Sequence, residues 1–158
     1  MDRQEAELEY VGFWWRVWAS LIDTVFVLLI TVPPMMAVYG ANYWDAGDQL
    51  VRGPAEFFFS YVLPAVLFIV LWRKLGATPG KMAIGATIVD ARTGAAPSLT
   101  QCIVRYVGYY VSLIGLFIGY FWVGIDSRKQ GWHDKMAGTV VVRRRGGGTR
   151  PVQFEQKR

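Results

Sequence analysis

The chain has 158 residues, of which 53% are hydrophobic, and its 17 lysines and arginines against 12 acids give a net charge of +5. This length allows one domain, and so high a hydrophobic fraction argues against a soluble one. The single cysteine, Cys102, excludes an intrachain disulfide, and the positive charge lies beside apolar runs, which fits cytoplasmic retention and anionic lipid better than nucleic acid.

The two ends of the chain differ in charge. Residues 1–10 carry four acids against one arginine, which predicts an acidic N-terminal tail. Residues 144–158 combine arginines with a run of glycines and predict a flexible basic tail that contacts anionic lipid. Residues 11–143 form the predicted membrane domain. The acidic start, with no small-residue cleavage site after the first apolar run, argues against a cleavable signal peptide.

Two apolar segments come first in this domain. Residues 13–39 are enough for a helix that crosses about 30 Å of hydrocarbon. Aromatic residues crowd its start, as they do at the level of lipid headgroups, and Pro33 and Pro34 predict a kink or an end of the regular helix. Residues 55–72 form a second, shorter segment with Pro64 in its interior. The sequence therefore predicts two transmembrane helices.

The loops around these helices predict their orientation. Residues 40–54 contain two aspartates and one arginine, whereas residues 73–92 contain four lysines and arginines. By the positive-inside rule the first loop is outside and the second is cytoplasmic. The N-terminus is then also cytoplasmic, because acids count little in that rule.

The third apolar segment, residues 98–125, has two interpretations. The arginines and lysines that follow it favour a return to the cytoplasmic side, as a helical hairpin or re-entrant pair. Steps of three and four between small residues instead fit one stripe on a single crossing helix. The same stripe also survives on two arms that pack together, and we favour the same-side arrangement. The small residues predicted to pack are Gly108, Ser112, Gly115 and Gly119.

Two β-branched runs flank the third segment. Residues 86–90 and 139–143 are short and rich in valine and threonine, which is typical of strands. Two isolated strands satisfy their backbone groups best by pairing, which requires both on one side of the membrane. The predicted fold is an all-α membrane protein with two transmembrane helices, a third apolar helical segment and a short β-pair on the cytoplasmic side.

Arg16 and Asp23 are the most informative polar pair. They stand seven residues apart in the first segment and so lie on almost the same helix face. An aspartate at the centre of a span costs about 2.5–3.5 kcal/mol on insertion scales, so it is usually shielded and has a partner or a function. One interpretation makes Asp23 a proton or cation ligand. The other makes it part of a structural ion pair or helix-packing hydrogen bond.

The remaining candidates are weaker. Arg105 and Asp126 bracket the third segment and suit the same charge cluster, but Arg105 also fits snorkelling to headgroups and Asp126 fits a helix end. His133 and Asp134 are adjacent, and with no nucleophile or second ligand a structural or lipid-facing role is favoured. Residues 76–81 resemble a phosphate loop only faintly, and a turn into the strand is the better interpretation. No catalytic or metal-binding set is predicted.

Three stretches resemble a known family. The first runs from Gly12 through Phe-Trp-Trp-Arg16 to Asp23, the second is Thr78-Pro-Gly-Lys81-Met with Ile88-Val-Asp90, and the third runs from Ile125-Asp126 through Gly131-Trp-His133-Asp134 to Gly138. Together they resemble the RDD family of bacterial membrane proteins, named for one arginine and two aspartates, over residues 11–143. The resemblance implies that Arg16 and Asp23 are signature residues. It implies Asp126 as the second aspartate, with Asp134 as its rival.

The resemblance and the intramembrane charges together set the functional expectations. We expect a multi-pass protein of the bacterial cytoplasmic (inner) membrane that is transport-related, with Asp23 as the ligand. The resemblance implies coupling to a cation or proton, as proposed for a family member. So few helices are expected to need a homo-oligomer or another membrane protein. The alternative is a non-transporting accessory, assembly or scaffold subunit. An enzyme is not expected, nor are a cofactor or a nucleic-acid partner.

Overall fold

The computed structural model describes residues 8–40, 53–115, 118–144, 152 and 154. Three predicted regions therefore lie largely outside the described residues: most of the acidic N-terminal tail, nearly all of the first loop, and most of the basic tail. The candidate charged residues are all described: Arg16, Asp23, Arg105, Asp126 and Asp134.

Two long helices confirm the predicted spans. Helix α1 is Phe13–Tyr39, with 27 residues, and helix α2 is Pro54–Leu75, with 22, and both are long and apolar enough to cross a membrane. Helix α1 continues through Pro33 and Pro34 and ends at Gly40, whose φ of +72° suits glycine. Helix α2 widens into a π-helical turn at Phe58–Val62, directly before Pro64, which lacks a backbone N–H.

The third apolar segment is bent rather than continuous. A helix α4 spans Leu99–Ile114 and a helix α5 spans Ile118–Ile125, and their axes differ by 102°. Ser98 and Gln101 cap the start of α4 reciprocally, as a capping box. A Cβ added to Gly119 would lie 2.7 Å from Ser112 Oγ, so the predicted small residues pack the two arms against each other.

A three-stranded antiparallel sheet joins distant parts of the chain. Its strands are β1 (Leu8–Tyr10), β2 (Ala86–Asp90) and β3 (Thr139–Arg144), in the order β1-β3-β2. The predicted pairing of the second and third strands is confirmed, with Ile88 opposite Val141. Both ends of the bent segment therefore lie together, as the same-side arrangement requires.

Strand β1 corrects the interpretation of residues 8–10 as part of an acidic N-terminal tail. Glu9 lies in the strand, is 1% exposed and accepts a 2.6 Å hydrogen bond from Arg143 Nε. The charged residues of this segment did not predict a strand, because the burial of Glu9 depends on Arg143, a partner far along the chain. The basic tail predicted for residues 144–158 also needs correction. Its first residue, Arg144, belongs to β3, and Val152 within it is buried.

Two short helices complete the fold and bring the charged segments together. Helix α3 (Pro79–Ala83) packs on α1, and helix α6 (Trp132–Ala137) packs on α4. A Cβ on Gly80 would overlap the Ala19 carbonyl group, and one on Gly108 would lie 2.8 Å from His133 Cα. Gly108, a member of the stripe of small residues, is thus covered by α6 of the same chain.

We predict that the two ends of the bent segment are accessible from the same side of the membrane. In a Cys102→Ala background, cysteines at Arg92 and at Arg144, both exposed, should react with an impermeant maleimide from one side. A cysteine at Asp45 is the control and should react from the other side, because the charges of the loops predict opposite sides. Labelling of positions 92 and 144 from opposite sides would contradict the arrangement.

Candidate functional site

A buried carboxylate joins three helices at the sheet end of the bundle. Asp134 of α6 is 0% exposed and forms ion pairs with Arg16, from the start of α1, and with Arg105, from α4. Its Oδ2 also accepts the Gly131 N–H at 3.0 Å. Arg105 donates further to Thr139 Oγ1 at 2.7 Å. We call these four side chains, Arg16, Arg105, Asp134 and Thr139, the arginine–aspartate centre.

The electrostatics of this centre keep Asp134 ionised. Burial alone would raise the pKa of its carboxyl, but the guanidinium groups of Arg105 and Arg16 hold that pKa well below its ordinary value. Arg16 also donates hydrogen bonds from Nε to the carbonyl oxygen of Val11, at 3.0 Å, and from Nη2 to that of Lys129, at 2.5 Å. The Asp134 carboxylate is therefore enclosed and fully paired, although Arg105 Nε has no hydrogen-bond partner among the described residues. This pairing suits a structural role.

His133 lies beside this centre and is neutral. The side chain is 3% exposed, and its ring stacks on Tyr109 with 4.2 Å between ring centroids. Burial lowers its pKa to about 3, against the opposing effect of Asp134. Of the two expected roles, lipid-facing and structural, the position corresponds to the structural one.

Asp23 forms a second and different centre. Its Oδ2 accepts from Thr78 Oγ1 at 2.5 Å, and its Oδ1 accepts from the Gly80 backbone N–H at 2.7 Å. Lys81 Nζ lies 3.8 Å from Asp23 Oδ2, and the two side chains are 9% and 11% exposed. The absence of a side chain at Gly80 is what allows the backbone to come this close. We call Asp23, Thr78 and Lys81 the aspartate–lysine centre.

The structure gives the predicted residues different partners from those expected. Arg16 and Asp23 share a helix but belong to separate centres. Asp126 joins neither: it follows the end of α5, accepts the Arg128 and Gln130 backbone N–H groups at 3.1 Å, and pairs with Lys135 at 2.6 Å. Its rival Asp134 is the residue that contacts Arg16.

One expectation for Arg105 was wrong. It does not snorkel to the headgroups, because α6 covers this face of α4 and leaves only 1% of the residue exposed. Sequence reasoning also missed Thr78 and Lys81 as partners of Asp23. A signal for these partners was present in residues 76–81, which faintly resemble a phosphate-binding loop. In the structure, Thr78 and Gly80 of this loop donate hydrogen bonds to the Asp23 carboxylate.

Two cavities adjoin the aspartate–lysine centre. One, of about 370 Å³, lies between α1, α2 and α4, and the other, of about 570 Å³, lies between α1, α4 and α5. Asp23 and Trp72 line the first, and Arg16 and His133 line the second. The residues that line both are Ser20, Thr24, Lys81, Tyr109 and Tyr120. Among the described residues, no group of three or more histidines, cysteines and acids is placed to hold a metal ion.

Comparison with known proteins points to one family. The family model described as RDD family matches residues 10–138. The uncharacterized membrane protein YteJ of Bacillus subtilis is 30% identical over 88% of this chain and 86% of its own length. The uncharacterized protein YxaI of the same organism is 28% identical over 83% and 95%, respectively. The uncharacterized protein RP437 of Rickettsia prowazekii is 42% identical over 48% of this chain, which spans only 42% of that protein. No solved structure matches the chain.

We predict that Asp134→Asn destabilises the fold far more than Asp126→Asn. Removing the Asp134 charge leaves two buried guanidinium groups without their partner, at a cost of roughly 3–5 kcal/mol. The Asp126 pair is half open to solvent through Lys135, so its loss should cost less than about 1 kcal/mol. Equilibrium unfolding in mixed detergent micelles measures both, and equal losses would contradict the structural role of the arginine–aspartate centre.

We predict that acidification from about pH 7 to about pH 4.5 lowers the free energy of unfolding by roughly 2–3 kcal/mol through His133. In this range the unfolded chain protonates its histidine below a pKa near 6.5, whereas the folded chain, with a pKa of about 3, does not. The chain has one histidine, so His133→Phe, which retains the stacked ring, isolates the effect. An unchanged slope in this variant would contradict the assignment.

Proposed function

The chain belongs to the RDD family, and we propose that it is a transport-related protein of the bacterial cytoplasmic membrane, crossing it more than once, in which Asp23 is the group that binds a proton or cation. The observation that supports this is the loose ion pair between Asp23 and Lys81, 3.8 Å apart and facing a cavity of about 370 Å³ between the helices. An intramembrane carboxylate beside a cavity is the usual setting of proton and ion relays.

The two carboxylates suit different roles. Asp134 is enclosed, fully ionised and held by two arginines, so a proton or cation reaches it only by breaking the fold. Asp23 lines a cavity, and its contact with Lys81 is at the outer limit of an ion pair. A proton or cation on Asp23 competes with Lys81 for the same oxygen and frees the ammonium group to move. That exchange is the proposed elementary step.

The family relationship supports the membrane assignment and does not identify an activity. The relatives in the comparison are uncharacterized, so the transport role rests on the geometry of Asp23 alone. We propose that the protein is not an enzyme and that the aspartate–lysine centre binds its ligand without chemical conversion.

A second candidate is a non-transporting accessory or scaffold subunit of a larger membrane complex. It is favoured by how little of the long helices the described chain itself covers, since 17% of an apolar 18-residue stretch is buried in each of α1 and α2. A partner subunit or a second copy of the chain would cover this apolar surface as well as lipid does. Purification in mild detergent separates the candidates: one stoichiometric partner supports this one, and a lone particle or homo-oligomer with flux excludes it.

We predict ion flux in proteoliposomes that contain the purified protein, measured for several cations and across pH. Asp23→Asn should reduce it at least about tenfold, because the ligand charge is lost while a hydrogen-bond acceptor remains. Asp126→Asn is the matched control and should retain flux, since Asp126 lies outside the cavities. If wild type and Asp23→Asn both match empty liposomes under all conditions, the transport proposal is wrong.

A further inference from the structure

We propose that the cavity between α1, α2 and α4 binds the anionic group of a phospholipid from the surrounding bilayer, with Lys81 and Trp72 as the donors. The cavity, of about 370 Å³, lies in the size range of small-molecule sites. This proposal names a lipid as the substrate class of the aspartate–lysine centre. It rests on the proposed function only in treating the bound lipid as a substrate.

Two residues that line the cavity have donors without a short hydrogen bond in the described part of the structure. Trp72 is 2% exposed, and in the described part of the structure its Nε1 has no hydrogen-bond partner. An orphaned buried N–H costs about 1–3 kcal/mol, so a ligand that accepts from it is favoured. Lys81 Nζ carries three N–H groups but makes only long contacts in its surroundings, 3.5 Å to Thr78 Oγ1 and 3.8 Å to Asp23 Oδ2.

Apart from the proton or cation proposed for Asp23, the other groups of the cavity favour an anionic ligand group over a cationic one. The guanidinium carbon of Arg105 lies 5.5 Å from the centre of the Trp72 ring and 5.8 Å from that of Tyr109. The aromatic faces that would attract a cationic ligand are therefore already taken by a cation. The acceptor in the wall, Asp23, is likewise held by Thr78 and Gly80. What the cavity has in surplus is donors.

The rim of the cavity indicates that the anion arrives with hydrocarbon attached. Leu28 and Leu113, which line its outer part, are 51% and 48% exposed on helices that face the bilayer. A free aqueous anion would meet this apolar rim unfavourably, whereas the acyl chains of a lipid pack against it. The exposed Leu28 and Leu113 and the buried ammonium group of Lys81 together match a lipid whose headgroup binds Lys81 and whose acyl chains contact the leucines.

Asp23 and the lipid compete for the same ammonium group. Neutralising Asp23 therefore strengthens lipid binding, because Lys81 Nζ is released toward the cavity and a like charge is removed. This links the proposed proton or cation step to the lipid: occupancy of Asp23 and occupancy of the cavity favour each other. A merely structural Lys81 would instead lose its acidic partner in Asp23→Asn, and lipid binding would not increase.

The test is lipid binding to the full-length protein in uncharged detergent, followed by native mass spectrometry. Wild type should bind one equivalent of short-chain phosphatidylglycerol at least about tenfold more tightly than the matching phosphatidylcholine. Lys81→Gln should weaken phosphatidylglycerol binding about tenfold or more, Trp72→Phe about fivefold, and Asp23→Asn should strengthen it several-fold. Lys74→Gln, which removes an exposed lysine at the end of α2, is the matched control and should change nothing.

Several outcomes would overturn the inference. They are equal binding of the two lipids, equal effects of Lys81→Gln and Lys74→Gln, weaker binding in Asp23→Asn, and displacement of the lipid by inorganic phosphate at equal concentration. If Lys81→Gln does not fold, Trp72→Phe and Asp23→Asn still decide it. Selective lipid binding without ion flux would remove the proposed transport function alone, and flux without selective binding would remove this inference alone.

Discussion

The pairing of one buried carboxylate with two guanidinium groups is the constraint on which the rest of the fold depends. Asp134 ties the start of α1 to the middle of α4 through Arg16 and Arg105, and its own helix, α6, leads directly into β3. Each of these charges is costly to bury alone and tolerable only with the others. The bend of the third segment, the course of α6 and the closing of the sheet all serve to bring them together.

The two charged centres differ in role. The arginine–aspartate centre holds the fold rigid, and the aspartate–lysine centre is the one proposed to exchange its ion partner. In the arginine–aspartate centre, Asp134 is 0% exposed and fixes the end of the bundle. In the aspartate–lysine centre, Asp23 lines a cavity and lies 3.8 Å from Lys81 Nζ. Backbone donors hold the second carboxylate in place, so its partner is able to leave without the helix moving. This division is the physical basis of the proposed function, in which a fixed frame supports one movable ammonium group.

The sequence predicted the elements well and the partnerships poorly. Apolar length predicted α1 and α2, and β-branched runs predicted the pairing of β2 with β3, because these signals are local. The spacing of Arg16 and Asp23 predicts only a shared helix face. Their partners, Asp134 and Thr78, lie 118 and 55 residues away, where no periodic pattern reaches. Strand β1 was missed for the same reason, since the buried Glu9 pairs with Arg143, which lies 134 residues away.

The long separation between Arg16 and Asp134 has a consequence for biogenesis. The ribosome delivers the arginine with the first helix, and the carboxylate that neutralises it emerges 118 residues later, after every apolar segment has been made. Until then both guanidinium groups must stay hydrated or lie among lipid phosphates. Helix insertion and tertiary closure are thus separate events in time, and a nascent chain stopped before α6 would hold its helices in the membrane without locking them together.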